Sequence, residues 1–163
     1  METRHEAAVI RGRRIVAPSF PSTPPMTPAQ IQLLRRSFAA VLPTADATAA
    51  RFYENLFAAD PPLRALFPAD LKAQRAKLVQ MVGGAVGLAD KPHVLLPMLR
   101  HLGTRHAADG VRPAHYATVG GVLMATLEQT LGPAFDGETR TAWEMLYALV
   151  AGMLLEGGEA LAA

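Results

Sequence analysis

Leu99-Arg100-His101-Leu102-Gly103-Thr104-Arg105-His106-Ala107-Ala108-Asp109-Gly110-Val111 is the stretch on which the reading of this chain turns. At helical period Leu95, Leu99, Leu102 and His106 share one face, so an apolar stripe ends in an imidazole where a fourth leucine would stand. Gly110 tolerates a left-handed helix end, and Pro113 suits the first turn of a new helix. The spacing predicts a helix with an inward histidine beside a glycine-broken corner. Such an imidazole either ligates a metal or sits in the core with its hydrogen bond satisfied. The stretch leaves both readings open.

Working outward, the 163 residues suffice for one domain with a sizeable core. Hydrophobic residues make up 50% of the chain, Ala and Leu are prominent, and alternating Val/Thr/Ile runs of strand type are absent. An all-α fold is expected. The net charge of +2 comes from residues 1–26, where Arg4, Arg11, Arg13 and Arg14 outnumber Glu2 and Glu6. Residues 27–163 are balanced, so no domain-wide positive field draws nucleic acid. Without cysteine, disulfides, thiolate metal sites and thiol nucleophiles are excluded, and a reducing cytoplasm is the expected location. No run approaches the roughly 20 apolar residues that span a bilayer. Gly83 and Gly87, in a short apolar run, read as close packing between helices.

Residues 1–26 lack any sustained period and carry Pro18, Pro21, Pro24 and Pro25, which predicts a disordered basic, proline-rich extension. Arg13-Arg14 has the look of an export signal, but Pro18 cuts off the apolar run behind it. Glu2 and His5 form a Glu-x-x-His spacing without the second copy that a di-iron site needs. Order is expected from Thr27-Pro28-Ala29-Gln30, a capping-box signature opening a helix whose stripe is Ile31, Leu34, Phe38 and Val41. A second helix follows over 45–58 with Phe52, Tyr53 and Leu56 inward, then a short helix that Asp60 caps and Phe67-Pro68 ends. Over 70–89 the stripe Leu71, Gln74, Leu78, Met81, Ala85 and Leu88 includes one amide. Gln74 therefore lies at the mouth of a pocket or at the rim of the core. Beyond the opening stretch come helices over 113–131, ended by Gly132-Pro133, and over 137–156, capped by Asp136 and stopped by Gly157-Gly158. Six longer helices and one short one result.

No dinucleotide or phosphate-binding glycine loop, zinc-protease helix or nucleophile elbow occurs. What remains is Tyr53, Gln74, His106 and Tyr116 at inward positions of apolar helices. An apolar pocket with one nitrogen ligand below and hydrogen-bond donors above is what a haem iron needs to bind a diatomic gas reversibly.

Five segments then carry a resemblance: Phe52-Tyr53-Glu54-Asn55-Leu56-Phe57, the pattern ending at Leu66-Phe67, Gln74-Arg75-Ala76-Lys77-Leu78, Leu102-Gly103-Thr104-Arg105-His106, and His115-Tyr116-Ala117-Thr118-Val119-Gly120. In order and spacing the chain from Thr27 to Glu156 resembles bacterial single-domain globins of the Vitreoscilla type and the globin domain of flavohaemoglobins. Leu131-Gly132-Pro133-Ala134-Phe135 and the Trp143 helix also look neuroglobin-like. The resemblance favours the ligand reading of His106. It implies a globin domain over 27–163, with a short C helix and haem b, iron protoporphyrin IX, in the pocket.

By that resemblance His106 is the iron ligand, and Phe67 packs on the haem plane. Tyr53 and Gln74 form the distal pair, Leu78 the wall beside them, and Val111 and Tyr116 further pocket contacts. Lys77 and Arg105 are candidates to meet haem propionates. In the family a tyrosine at the position of Tyr116 joins a glutamate of the last helix in a relay to the proximal histidine. Counted from Trp143 and Tyr147, that glutamate's position falls on Gly158, with Glu156 and Glu159 nearby. A shift of one or two residues turns a helical side chain by roughly 100 to 200 degrees, so the relay is in question. The implied function is reversible dioxygen binding, for transport or storage, with nitric oxide and carbon monoxide as further ligands. The alternatives are nitric oxide dioxygenation with electrons from a separate reductase, or a haem-based gas or redox sensor. The implied partners include no nucleic acid and no membrane span, and the chain is expected as a monomer or homodimer.

Overall fold

The structure is a computed structural model that describes residues 26–162. Apart from Met26, the features read in residues 1–26 lie outside the described residues. Six α-helices run in order: α1 Pro28–Val41, α2 Ala45–Ala59, α3 Lys72–Gly87, α4 Pro92–Ala108, α5 Pro113–Leu131 and α6 Gly137–Ala162. A 3-10 turn over Pro61–Leu66 stands where the short helix was expected. There is no strand among the described residues.

Local chemistry accounts for most boundaries. The Thr27 hydroxyl accepts from the Gln30 amide at 3.2 Å while the Gln30 side chain accepts from the Thr27 amide at 2.9 Å, closing the capping box of α1. Asp136 accepts from the Thr139 amide at 2.9 Å at the start of α6, and that bond holds its carboxyl below the ordinary value. Gly110, at φ +96°, reverses the chain after α4 in a conformation that a side chain rarely adopts. Asp60 stands at the N-cap before the 3-10 turn, but its side chain makes no capping bond.

One boundary differs from the sequence reading. Gly157-Gly158 does not stop α6, which continues through both to Ala162. The glycines serve packing instead. A Cβ on Gly157 would lie 1.9 Å from the Arg100 carbonyl oxygen, and one on Gly103 would lie 2.0 Å from that of Leu154. The backbones of α4 and α6 therefore touch, and the Thr104 hydroxyl donates to the Gly157 carbonyl at 2.9 Å across the seam. Helical propensity alone disfavours glycine by about 1 kcal/mol, a cost that close interhelical contact offsets here. Of the pair noted in α3, Gly83 packs against Phe38, while Gly87 faces open space.

The main core joins α1, α3, α4, α5 and α6 around Leu34, Ala85, Leu99, Trp143 and Leu146. Trp143 is buried at 1% exposure, and its indole N–H donates to the Ser37 hydroxyl at 2.9 Å. A second cluster of Phe52, Tyr53, Leu56, Leu63 and Val122 lies between α2, the 3-10 turn and α5. α3 packs on α1 and α2, whereas α4 packs chiefly on α6. Side chains from α3 and from the end of α4 line a cavity together with those of α2 and α5. Among the described residues no helix is long and apolar enough to cross a membrane.

Candidate functional site

The α2 wall of the cavity is aromatic. Tyr53 is 3% exposed and meets Phe52 edge-on at 5.2 Å and Phe67 at 5.5 Å between ring centroids. Phe67 is held by an arginine that the sequence reading passed over. The Arg64 guanidinium donates to the carbonyls of Phe67, Pro68 and Ala69 at 3.2, 2.9 and 3.0 Å and lies over the Phe57 ring. A turn that no helix supports is thereby fixed from one side chain.

α3 adds Gln74 and Leu78, both half-buried, to the same cavity. Burial pushes the Tyr53 phenol above its ordinary pKa, and the Gln74 side chain beside it draws it partly back. At neutral pH the phenol keeps its proton and can donate it in a hydrogen bond.

α4 presents His106 from its last turn. Burial lowers the imidazole's pKa, opposed by the Asp109 charge and by the nearby Leu102 carbonyl, with Arg105 adding to the lowering. A neutral ring with a free lone pair is the form that ligates a metal. The Val111 amide donates back to the His106 carbonyl at 3.0 Å, which ties the corner after Gly110 to the helix end. On α5, Tyr116 is buried, and its carbonyl accepts a hydrogen bond from the Tyr147 hydroxyl of α6. Gly120 makes room for that ring: a Cβ there would lie 2.4 Å from it. Burial and the neighbouring Tyr116 push the Tyr147 phenol up to about 12.

These walls enclose a cavity of about 260 Å³ lined by His106, Tyr53, Gln74, Phe67, Leu78, Val111 and Tyr116 together. Two candidates stand elsewhere. Lys77 is exposed and is not among the lining residues, and Arg105, also exposed, lines a neighbouring groove between α3 and α4 with Met98 and His101. Two cavity residues that the sequence reading did not single out are His115 and Asp109. The His-Tyr step at 115–116 was the available signal for the first; nothing marked the second. At the end of α6, Glu156 pairs with Arg100 at 2.8 Å, Glu159 is exposed, and Gly158 offers no side chain. No carboxylate of that helix is thus free at the relay position.

Among the described residues no group of three His, Cys, Asp or Glu side chains converges on a metal position. The described residues alone do not build a cage for a bare ion. A single inward imidazole facing an apolar slot fits a metal whose other ligands arrive with its cofactor.

The family model described as Globin matches residues 50–154. The chain belongs to the globin family. This globin is 33% identical over 113 residues to the Flavohemoprotein of Bordetella parapertussis, an alignment covering 68% of this chain and 28% of that one. It is 30% identical over 119 residues to the Neuroglobin of Danio rerio, covering 64% of this chain and 75% of that one. The chain therefore spans little more than a quarter of the flavohemoproteins it matches. In fold it superimposes on a bacterial globin from Campylobacter jejuni with a TM-score of 0.74 at 22% identity, covering 83% of this chain and 99% of that one. An engineered carbene transferase from Rhodothermus marinus gives 0.74 at 26% identity, covering 84% and 96%. Haem is the cofactor of this family, and the cavity fits it: apolar walls, an imidazole from α4, and a phenol with an amide from α2 and α3.

Proposed function

We propose that this globin holds haem b through His106 and binds dioxygen reversibly, with Tyr53 and Gln74 as the polar groups on the ligand side. The observation that carries the reading is the convergence of those three side chains on one apolar cavity. Bound there, haem would supply a ferrous iron able to take up a diatomic gas. The chain's residues do the rest. His106 keeps a neutral imidazole because burial disfavours its charged form. Phe67, clamped by Arg64, and Leu78 present apolar surface to the slot. The Tyr53 hydroxyl, protonated and buried, offers a donor to a ligand that carries partial negative charge, and Gln74 steadies that hydroxyl.

Absorption spectra of purified protein, ferric and then reduced with and without carbon monoxide, test this. The expected result is a stoichiometric haem protein that forms a carbon monoxide complex and releases dioxygen on lowering its pressure. A His106→Ala variant with an unchanged spectrum and oxygen curve would overturn the ligand assignment.

A second reading is nitric oxide dioxygenation with electrons from a separate reductase. Its support is the similarity to flavohemoproteins and to the Rhodothermus marinus protein named as a candidate nitric oxide dioxygenase. Against it stands the proximal side, where Glu156 is committed to Arg100 and Gly158 has no carboxylate. Sustained nitrate formation in the presence of a flavin reductase would favour this second reading over a carrier role.

A further inference from the structure

The cavity that takes the cofactor contains no lysine or arginine. The porphyrin of haem b carries two carboxylates, and such anions are ordinarily met by basic donors or left in water. Apart from His106, the one basic side chain on the cavity wall is His115.

Its ring is oriented by the start of α5. His115 is the third residue of that helix, its amide donates to the Arg112 carbonyl at 3.0 Å, and its Nδ1 accepts from the Arg112 amide at 2.9 Å. The imidazole thus does at this helix what a glutamine or glutamate does in a capping box. Accepting at Nδ1 places the proton of the neutral ring on Nε2. Among the described residues Nε2 enters no ion pair, and the Asp109 carboxylate on the same wall does not take it. A half-buried ring with a fixed tautomer and an uncommitted N–H therefore stands at the cofactor cavity. The charge-balanced alternatives, Lys77 and Arg105, are not on its wall.

Resting on the haem reading above, we propose that His115 is a cofactor-binding residue whose Nε2–H donates to a porphyrin carboxylate, the helix cap fixing the ring so that it can. The same imidazole then caps the start of α5 through Nδ1 and holds the cofactor through Nε2.

Capping and donation separate by substitution. His115→Gln keeps an acceptor for the Arg112 amide and an N–H donor, whereas His115→Glu keeps the acceptor and replaces the donor with a negative charge. Each protein is loaded with iron protoporphyrin IX or with its dimethyl ester, and release to an excess of a haem-scavenging apoprotein is followed by absorption. The expected result is diacid release from His115→Glu faster by about tenfold or more than from the unsubstituted protein, with His115→Gln close to it, and ester release unchanged in both. Equal acceleration of diacid and ester, or none, would overturn the proposal. If the unsubstituted protein takes up neither porphyrin, the haem reading itself fails, and this one with it.

Discussion

Tyr53 and Gln74 are the residues whose removal touches ligand and fold differently. Tyr53→Phe keeps the ring contacts with Phe52 and Phe67 and loses only the hydroxyl. A donor to a bound ligand is worth about 1 to 3 kcal/mol, so the dioxygen dissociation rate should rise about 5- to 150-fold in stopped-flow measurements, with thermal stability nearly unchanged. His106 and Tyr147 carry the pH dependence. The folded His106 titrates below its ordinary 6.5 because of burial, so the unfolded chain takes up the proton first. Its contribution leaves the apoprotein's stability untouched above pH 6.5 and lowers it as pH falls from there toward the folded pKa. His106→Phe should flatten that part of the acid-unfolding profile. Tyr147 has the opposite sense. With its phenol pushed up from 10.0 to about 12, the stability it adds is complete below pH 10 and is lost between 10 and about 12. Tyr147→Phe should lose that alkaline slope, together with about 1 kcal/mol from the bond to the Tyr116 carbonyl.

Between helices the α4 and α6 seam is the sharpest test. Gly103 and Gly157 admit backbone from the partner helix, while Gly152, in the same α6, faces open space. Gly157→Ala should therefore destabilise by about 1 to 3 kcal/mol, since backbone rather than a flexible side chain must move. Gly152→Ala should stabilise by up to about 1 kcal/mol through helical propensity alone. Urea unfolding of the two variants checks both signs. Along the chain Gly157-Gly158 reads as a stop signal, because a glycine pair has the same local signature whether it breaks a helix or packs one. That ambiguity resolves only when the Arg100 carbonyl of α4 is placed against Gly157.

For the molecule as a whole, the cavity is walled by α3 and the end of α4 together with α2 and α5. Removing the cofactor should leave α1, α2, α5 and α6 protected around Trp143 and Leu56 while α3 and the end of α4 lose protection in amide exchange. Haem in excess over its dissociation constant should raise the unfolding midpoint by linkage, about 2.7 kcal/mol at a hundredfold excess. A uniform loss of protection across all six helices would contradict this division of the core.

Much of this was legible along the chain because it rests on local rules. Helical periodicity, Thr27-Pro28 and Asp136 as caps and Gly110 as a break act over three to five residues, so the order of the helices and the inward side of Tyr53, His106 and Tyr116 could be read off directly. The ordered motifs gave the globin family for the same reason. What lay beyond reach depends on residues distant in sequence. That Lys77 and Arg105 stand off the cavity while His115 and Asp109 line it, that Arg64 clamps Phe67, and that glycines let α6 run on against α4 all follow from how helices cross, and a helical period says which face turns inward without saying what it will meet there.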